Sequence, residues 1–272
     1  MGDEWFKSCR PKDYYDQFLK EGIYPDGRST SAFNPLLFKL GAWGGVGSAL
    51  IKQGGVAVSC TVQASLALCH DGPLISCEVD ACASVSQADI SDVTDMINQL
   101  FNNDALSTRT ALLVNGVDNE MSMTWELTLQ MQILNSDGPI LDAIVCAASA
   151  ALADVRLPTV KLDHAKEDES PIQQEEISVL DEVSPLKLAG SPVAITFFVV
   201  QSASKDFVLV DPPQDLVEHC AARISMVTDG KNILMMRTRG MLTNENLLSS
   251  VSTMAERRHR SVMETMRAAV AQ

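Results

Sequence analysis

The sequence predicts an α+β layer fold, with helices packed on mixed sheets. Three observations predict it. Gly47 to Leu68 and Ala222 to Thr238 read as hairpins about Gly54-Gly55 and Asp229-Gly230. Met123 to Leu134 alternates with a period of two, as a strand with one buried face does. Strand groups and helices then follow one another twice, once before and once after an acidic stretch at residues 163–176. The hairpins make mostly antiparallel pairing the expectation.

Pro11 through Glu21 reads as a short helix, with proline in its first turn and Gly22 just past its end. Tyr14, Tyr15, Phe18 and Leu19 fall at helical spacing and provide an apolar face for docking. After the turn Tyr24-Pro25-Asp26-Gly27-Arg28, Gly47 to Gln53 and Val56 to Leu68 form the first hairpin, with Val56, Val58, Cys60 and Val62 on its buried face. Ile90, Val93, Ile97, Leu100 and Phe101 recur at three- and four-residue steps and predict an amphipathic helix over about 87–102. In the alternating strand, Trp125, Leu127, Leu129, Met131 and Ile133 form the apolar set. The turn Asn135-Ser136-Asp137-Gly138 then leads to a helix rich in Ala143, Ala147, Ala148, Ala150, Ala151 and Ala153, placed centrally because small side chains let other backbones approach. It should end before Pro158. Asp163 to Glu176 holds six acidic residues, Lys166 and Pro171, the composition of a solvated connection between two halves. Beyond it come apolar runs at Pro192 to Val200 and Phe207 to Val210, the second hairpin, and a long helix over about 244–270 begun by Thr243 as its cap.

Composition narrows the function. The 272 residues carry 21 Lys+Arg against 35 Asp+Glu, a net charge of −14, and are 46% apolar, which excludes a disordered or collagen-like chain. No apolar run approaches the roughly 18 residues a membrane helix needs. Asp3, Glu4, Lys7 and Arg10 have the wrong chemistry for a signal peptide, so a soluble, non-exported protein is expected. Seven cysteines without a Cys-x-x-Cys pair or histidines at zinc spacing read as buried free thiols in a reducing compartment. A uniformly basic nucleic-acid binder is excluded by the charge, but residues 221–272 carry eight Lys/Arg and four Asp/Glu, so a local basic face is allowed.

The chemistry-bearing motifs are sparse. Asp137-Gly138 before a helix is a candidate anion site, yet the residues that follow are Pro139, Ile140 and Leu141, which bring no hydroxyl or guanidinium; proline also lacks the N–H. It therefore reads as an ordinary helix-initiating turn. The acids of residues 163–182 are explained by solvation rather than by Mg²⁺, and no paired carboxylate lies within an apolar strand end. Gly44-Gly45-Val46-Gly47 lacks the Lys-Ser/Thr of a P-loop, no Gly-x-Ser-x-Gly occurs, and His70, His164, His219 and His259 are scattered. No catalytic residue, metal or cofactor is expected. Arg237, Arg239, Arg257, Arg258 and Arg260 are the best hint of nucleic acid, against the simpler reading of a solvated helix face.

These residues resemble a family. Tyr14-Tyr15-x-x-Phe18-Leu19-Lys20-Glu21 followed by Pro25-Asp26-Gly27-Arg28 is similar to the start of the RNase PH-like subunits of the RNA exosome. Gly47 to Lys52, Trp125-x-Leu127, Asp137-Gly138 with Asp142-Ala143, Ala148 to Ala153 and Leu157-Pro158 continue the likeness in order. So do Pro192-Val193-Ala194, Asp211-Pro212 and Asp229-Gly230-Lys231. The resemblance implies the RNase PH-like fold, of the ribosomal protein S5 domain 2-like kind, with duplicated βαβα halves in a single domain over 1–272. Within it lie the docking helix (about 11–21), a first half (about 28–160), the acidic linker (about 163–176) and a second half (about 177–272).

The resemblance also implies what this chain has lost. Active relatives carry an Asp-Gly-Gly-Thr/Ser-Arg-type phosphate loop where Gly138, Pro139, Ile140 and Leu141 stand here. They bear carboxylates before the Val-Pro-Val segment, where Leu186 to Ser191 has none, and basic ligands where Asn98 to Asn103 reads Asn-Gln-Leu-Phe-Asn-Asn. The implied function is a non-catalytic subunit of the exosome core ring, with an active phosphate-dependent 3′ exoribonuclease as the rival. Implied partners are other RNase PH-like ring subunits, S1/KH cap subunits, a hydrolytic nuclease, and RNA contacted through the assembly by Arg257, Arg258 and Arg260; implied locations are nucleus, nucleolus and cytoplasm.

Overall fold

The computed structural model describes residues 2–82, 85–115, 122–162, 177–201, 206–241 and 246–270. The expected segment at 163–176 and the Thr243 cap lie outside the described residues. Helices α1 (Gly2–Cys9) and α2 (Pro11–Lys20) open the chain, α2 beginning at its proline as expected; α1 carries no signal that sequence reading used. Strands β1 (Leu36–Leu40), β2 (Gly47–Gln53), β3 (Gly55–Leu68) and β4 (Ile75–Ala81) follow. Then come α3 (Gln87–Phe101), the short α4 (Thr108–Leu112), β5 (Leu113–Asn115), β6 (Ser122–Asp137) and α5 (Ile140–Asp154). β7 (Arg156–Leu162), β8 (Ile177–Pro185), β9 (Val193–Gln201), β10 (Asp206–Val210), α6 (Gln214–Val217), β11 (Ala222–Thr228), β12 (Ile233–Gly240) and α7 (Asn246–Val270) complete it.

The strands form a six-stranded sheet in the order β1-β2-β3-β6-β4, with β5 also on β6, a four-stranded sheet in the order β10-β9-β11-β12, and the ribbon β7-β8. Pairing is antiparallel except between β4 and β6. Gly54, at φ +56°, turns β2 into β3 so that Gln53 faces Val56. A bulge at Ala57/Val58 absorbs the extra residue of β6, which is why Leu134 sits exposed beyond the otherwise buried set Leu127, Leu129, Met131 and Ile133.

The period-two and period-3.6 patterns meet on α5, where every residue from Leu141 to Leu152 is buried. This helix packs on β2 and β3 of one sheet and on β9 of the other, so its alanines lie at the centre of the molecule as their size predicts. β9 is apolar on both sides for the same reason: Phe197 and Val199 join the main core, while Phe198 and Val200 join a smaller one with Tyr15, Leu19 and Tyr24. The α2 face thus docks on the four-stranded sheet, and Tyr24 Oη donates to the Val210 carbonyl at 2.9 Å.

On either side of residues 163–176, Leu162 of β7 pairs with Ile177 of β8 in one antiparallel ribbon. One expectation changes. The cysteines are all free, but only Cys60, Cys77 and Cys146 are buried, whereas Cys9 and Cys69 are exposed on the short α1 and at a strand end. No described helix is long and apolar enough to cross a membrane.

Candidate functional site

A cavity of about 160 Å³ opens where the start of α5 meets α3 and the four-stranded sheet. One wall is the turn Ser136 to Leu141. Gly138 adopts φ +137°, Pro139 occupies the cap position with no side-chain hydrogen bond, and Ile140 and Leu141 are half-buried or buried. The wall offers no side-chain donor to an anion between Gly138 and Leu141. Asp142, buried at the third helical position, puts a carboxyl at the positive end of the helix.

Asp142 accepts from the Thr196 backbone N–H at 2.9 Å and from Thr196 Oγ1 at 2.7 Å, and Thr196 Oγ1 also lies 3.3 Å from Ser225 Oγ. Burial pushes its carboxyl up to about 7 against the opposing pull of the Thr196 bonds; the charge of Asp211 raises it further and that of Arg258 lowers it. This polar centre ties α5 to β9 and β11 beneath the cleft.

The opposite wall is cationic. Arg223 on β11 faces Arg239 on β12, and Ser225 faces Arg237. On the other side of β11, Arg223 faces Phe198 and Ser225 faces Thr196. Two cross-strand rows therefore share one side of the sheet, as the period of two requires. Across the cavity α3 brings Asp89 and Asp92; Asp92 is ion-paired with Arg239, and Asp89 accepts from the Ser86 hydroxyl that caps its own helix.

The structure divides the three arginines singled out on α7. Arg257 and Arg260 are exposed, but Arg258 is only 9% exposed, with its guanidinium 4.3 Å from the centre of the Phe33 ring and Nη2 without a hydrogen-bond partner. An RNA phosphate cannot reach it. The expectation for Arg258 is corrected: helical periodicity turns one residue of Arg257-Arg258-His259-Arg260 inward, where it faces the field of Asp142 and Asp211. Arg237 and Arg239, singled out in the sequence among the arginines that hint at nucleic acid, belong to the cleft, whereas Arg223, Ser225, Asp89 and Asp92 were missed. For Arg223 and Ser225 the signal was the spacing of two within each hairpin arm; registering the arms about Asp229-Gly230 would have put Arg223, Ser225, Arg237 and Arg239 on one face.

The segment Asn98 to Asn103 is structural. Asn102 Oδ1 accepts from the Leu74 and Ile75 N–H groups while Nδ2 donates to the Ile75 and Asn98 carbonyls. Nearby Arg109 donates to the carbonyls of His70, Asp71 and Gly72. Among the described residues no three metal-ligating side chains converge.

Residues 33–158 match the 3′ exoribonuclease family, domain 1. The chain is 30% identical over 141 residues to exosome complex component Rrp42 of Methanothermobacter thermautotrophicus, covering 51% of this chain and 47% of that one. It is 25% identical over 245 residues to exosome complex component Rrp42 of Pyrococcus abyssi, covering 84% and 82%. The first of these matches spans about half the relative's length, the second most of it. A solved archaeal exosome core contains a chain that superimposes with a TM-score of 0.71 at 21% identity, over 98% of this chain and 99% of that one. The chain has the RNase PH-like fold, and its residues 33–158 are similar to domain 1 of the 3′ exoribonuclease family.

Proposed function

We propose that the protein is a non-catalytic subunit of an exosome core ring, packed between other RNase PH-like chains beneath S1/KH cap subunits and feeding RNA to a separate hydrolytic nuclease. The observation that carries this reading is the wall from Gly138 to Leu141: at the end of the helix where active relatives grip phosphate, the chain presents a proline cap and two aliphatic side chains. The approach Leu186 to Ser191 brings no carboxylate, so a general acid or base is lacking from that side as well. Among ring subunits, the leader Tyr14-Tyr15-x-x-Phe18-Leu19-Lys20-Glu21 is most similar to that of exosome component eight. Nuclear, nucleolar and cytoplasmic placement goes with this reading. Arg257 and Arg260, exposed on α7, are available to the RNA path.

Purification of the tagged chain at moderate salt tests the assembly. Co-purifying RNase PH-like and S1/KH proteins support it; a stable monomer in sedimentation overturns it. The rival reading, an active phosphate-dependent 3′ exoribonuclease, is favoured by Arg223, Arg237, Asp89 and Asp92 in the same cleft. Nucleoside diphosphate release from RNA and inorganic phosphate, dependent on this chain's own residues, would establish the rival.

A further inference from the structure

At the end of α5 away from the cleft, the loop between β1 and β2 holds a tryptophan in solvent. Its backbone is fixed: Gly41 donates to the Ser48 carbonyl at 3.0 Å, the Trp43 N–H to Ser48 Oγ at 3.1 Å, and Val46 to the Val62 carbonyl at 2.9 Å. A Cβ at Gly45 would strike the Val62 carbonyl and one at Gly47 the Ala151 carbonyl, so the loop lies flat on β3 and on the last turns of α5. Yet the Trp43 side chain is 47% exposed, joins no apolar cluster of the described residues, and makes no ring contact or hydrogen bond with any of them. An indole contributes to a fold chiefly through the large area it buries, and here that capacity is unused.

The indole borders a recess of about 270 Å³ together with Asp154, the last residue of α5, and Arg156, the first of β7. Asp154 Oδ2 accepts from the Ser48 N–H at 3.1 Å, while Oδ1 accepts from no described residue. Arg156 is exposed, and its guanidinium forms no ion pair or hydrogen bond with a described residue. Gly44 leaves its side of the recess open, since a Cβ there would meet nothing within 4 Å. An aromatic face, a free carboxylate oxygen and a free guanidinium thus border one space. A cationic side chain would use the first two and be repelled by the third; a carboxylate would use only the third. A nucleotide uses all three: its base stacks on the indole and donates an amino group to the carboxylate, and its phosphate pairs with the guanidinium.

We propose that Trp43, Asp154 and Arg156 form a nucleotide subsite remote from the cleft, with the base stacked on Trp43. The nucleotide is either a unit of single-stranded RNA or a free nucleoside monophosphate, since both present the same base and phosphate. The site stands on the residues of this recess; the reading of the chain as a ring subunit bears only on RNA as the source.

The test uses the full chain and two probes whose base carries the required amino group: a labelled single-stranded oligoadenylate, titrated at several salt concentrations, and AMP, followed by quenching of tryptophan emission. W43A should weaken oligoadenylate binding about tenfold, the loss of one stacked base. W43L, apolar but without a ring, should lose as much, while W43F keeps the ring, stays within about threefold of wild type and guards against misfolding. R156Q should lower the salt slope by about 1, and K39Q, whose lysine lies exposed on β1, should leave it unchanged. If oligoadenylate binds all variants equally but AMP quenches wild type and not W43F, the free nucleotide is the ligand and the site stands. Equal affinity of wild type, W43A and R156Q for both probes, W43L binding as tightly as W43F, or an equal loss in K39Q overturns the site. Loss of a co-purifying protein from W43A with both affinities unchanged also overturns it, by making the loop a protein contact. A chain that binds oligoadenylate through Trp43 yet sediments as a stable monomer keeps the site and overturns the ring-subunit reading.

Discussion

On the helix side of the cleft, the chain from Gly138 to Asp142 is closed to solvent chemistry: its cap is a proline, its next two side chains are aliphatic, and its one carboxyl is buried against Thr196. On the strand side, β11 and β12 hold Arg223, Arg237 and Arg239 toward the same space with a single ion pair among them, to Asp92. The first wall is shaped by packing, with its carboxyl engaged by Thr196. The second tolerates repulsion that packing would not select. A wall organised for stability should respond to substitution by unfolding, and a wall organised for a ligand should respond by losing the ligand.

The largest effect sharpens this contrast behind the helix wall. Removing buried Arg258 leaves Asp142 and Asp211 without their facing cation, so R258A should lower stability by about 3 kcal/mol in urea unfolding. R257A and R260A should stay within about 0.5 kcal/mol, and equal losses for all three would break the distinction.

Asp142 comes next. Its folded-state pKa of about 7 lies above the value of about 3.9 in an unfolded chain. Its contribution is therefore fully present below about pH 4 and lost as pH rises through about 7, by an amount on the order of a few kcal/mol. D142N should flatten that part of the stability profile, its amide oxygen accepting from the Thr196 N–H while Thr196 Oγ1 turns to Ser225. An unchanged slope between pH 4 and 7 would show that another group is responsible.

G138A forces a side chain into φ +137° with its Cβ 3.2 Å from Val56 Cγ2, and should cost about 1–3 kcal/mol. The smallest effect is the most telling: R223A should leave the unfolding midpoint within about 0.5 kcal/mol of wild type, or raise it by relieving the pair with Arg239. A large loss from R223A would make the strand wall structural after all.

Legibility followed the range of the interaction. The β2–β3 hairpin, the alternation of β6, the amphipathic α3 and the alanine-rich α5 each rest on contacts repeated every two to four residues, and the sequence carries that periodicity openly. β1, β4 and the β7–β8 ribbon were missed because Leu36–Leu40 and Ile75–Ala81 are short and mixed, and because the acids at 163–176 drew attention from the strands on either side. That Gly138 to Leu141 carries no side-chain donor was legible directly, since it is one continuous segment. The strand wall was not, because Arg223 and Arg239 meet only once a hairpin has been registered, and Asp92 arrives from more than a hundred residues earlier in the chain. Arg258 was misjudged for a related reason: a run of charges on a helix reads as solvated until tertiary packing decides which residue turns inward.

The central claim is chemical silence at this cleft, and its most direct measurement is nucleoside diphosphate release. The chain, alone and joined to a ring neighbour, would be incubated with single-stranded RNA and inorganic phosphate, as wild type and as D89N/D92N, which removes the cavity-lining carboxylates of α3 while keeping their shape. The account predicts no release from the chain alone and the same rate for both forms in the pair. Release that disappears with D89N/D92N would contradict it.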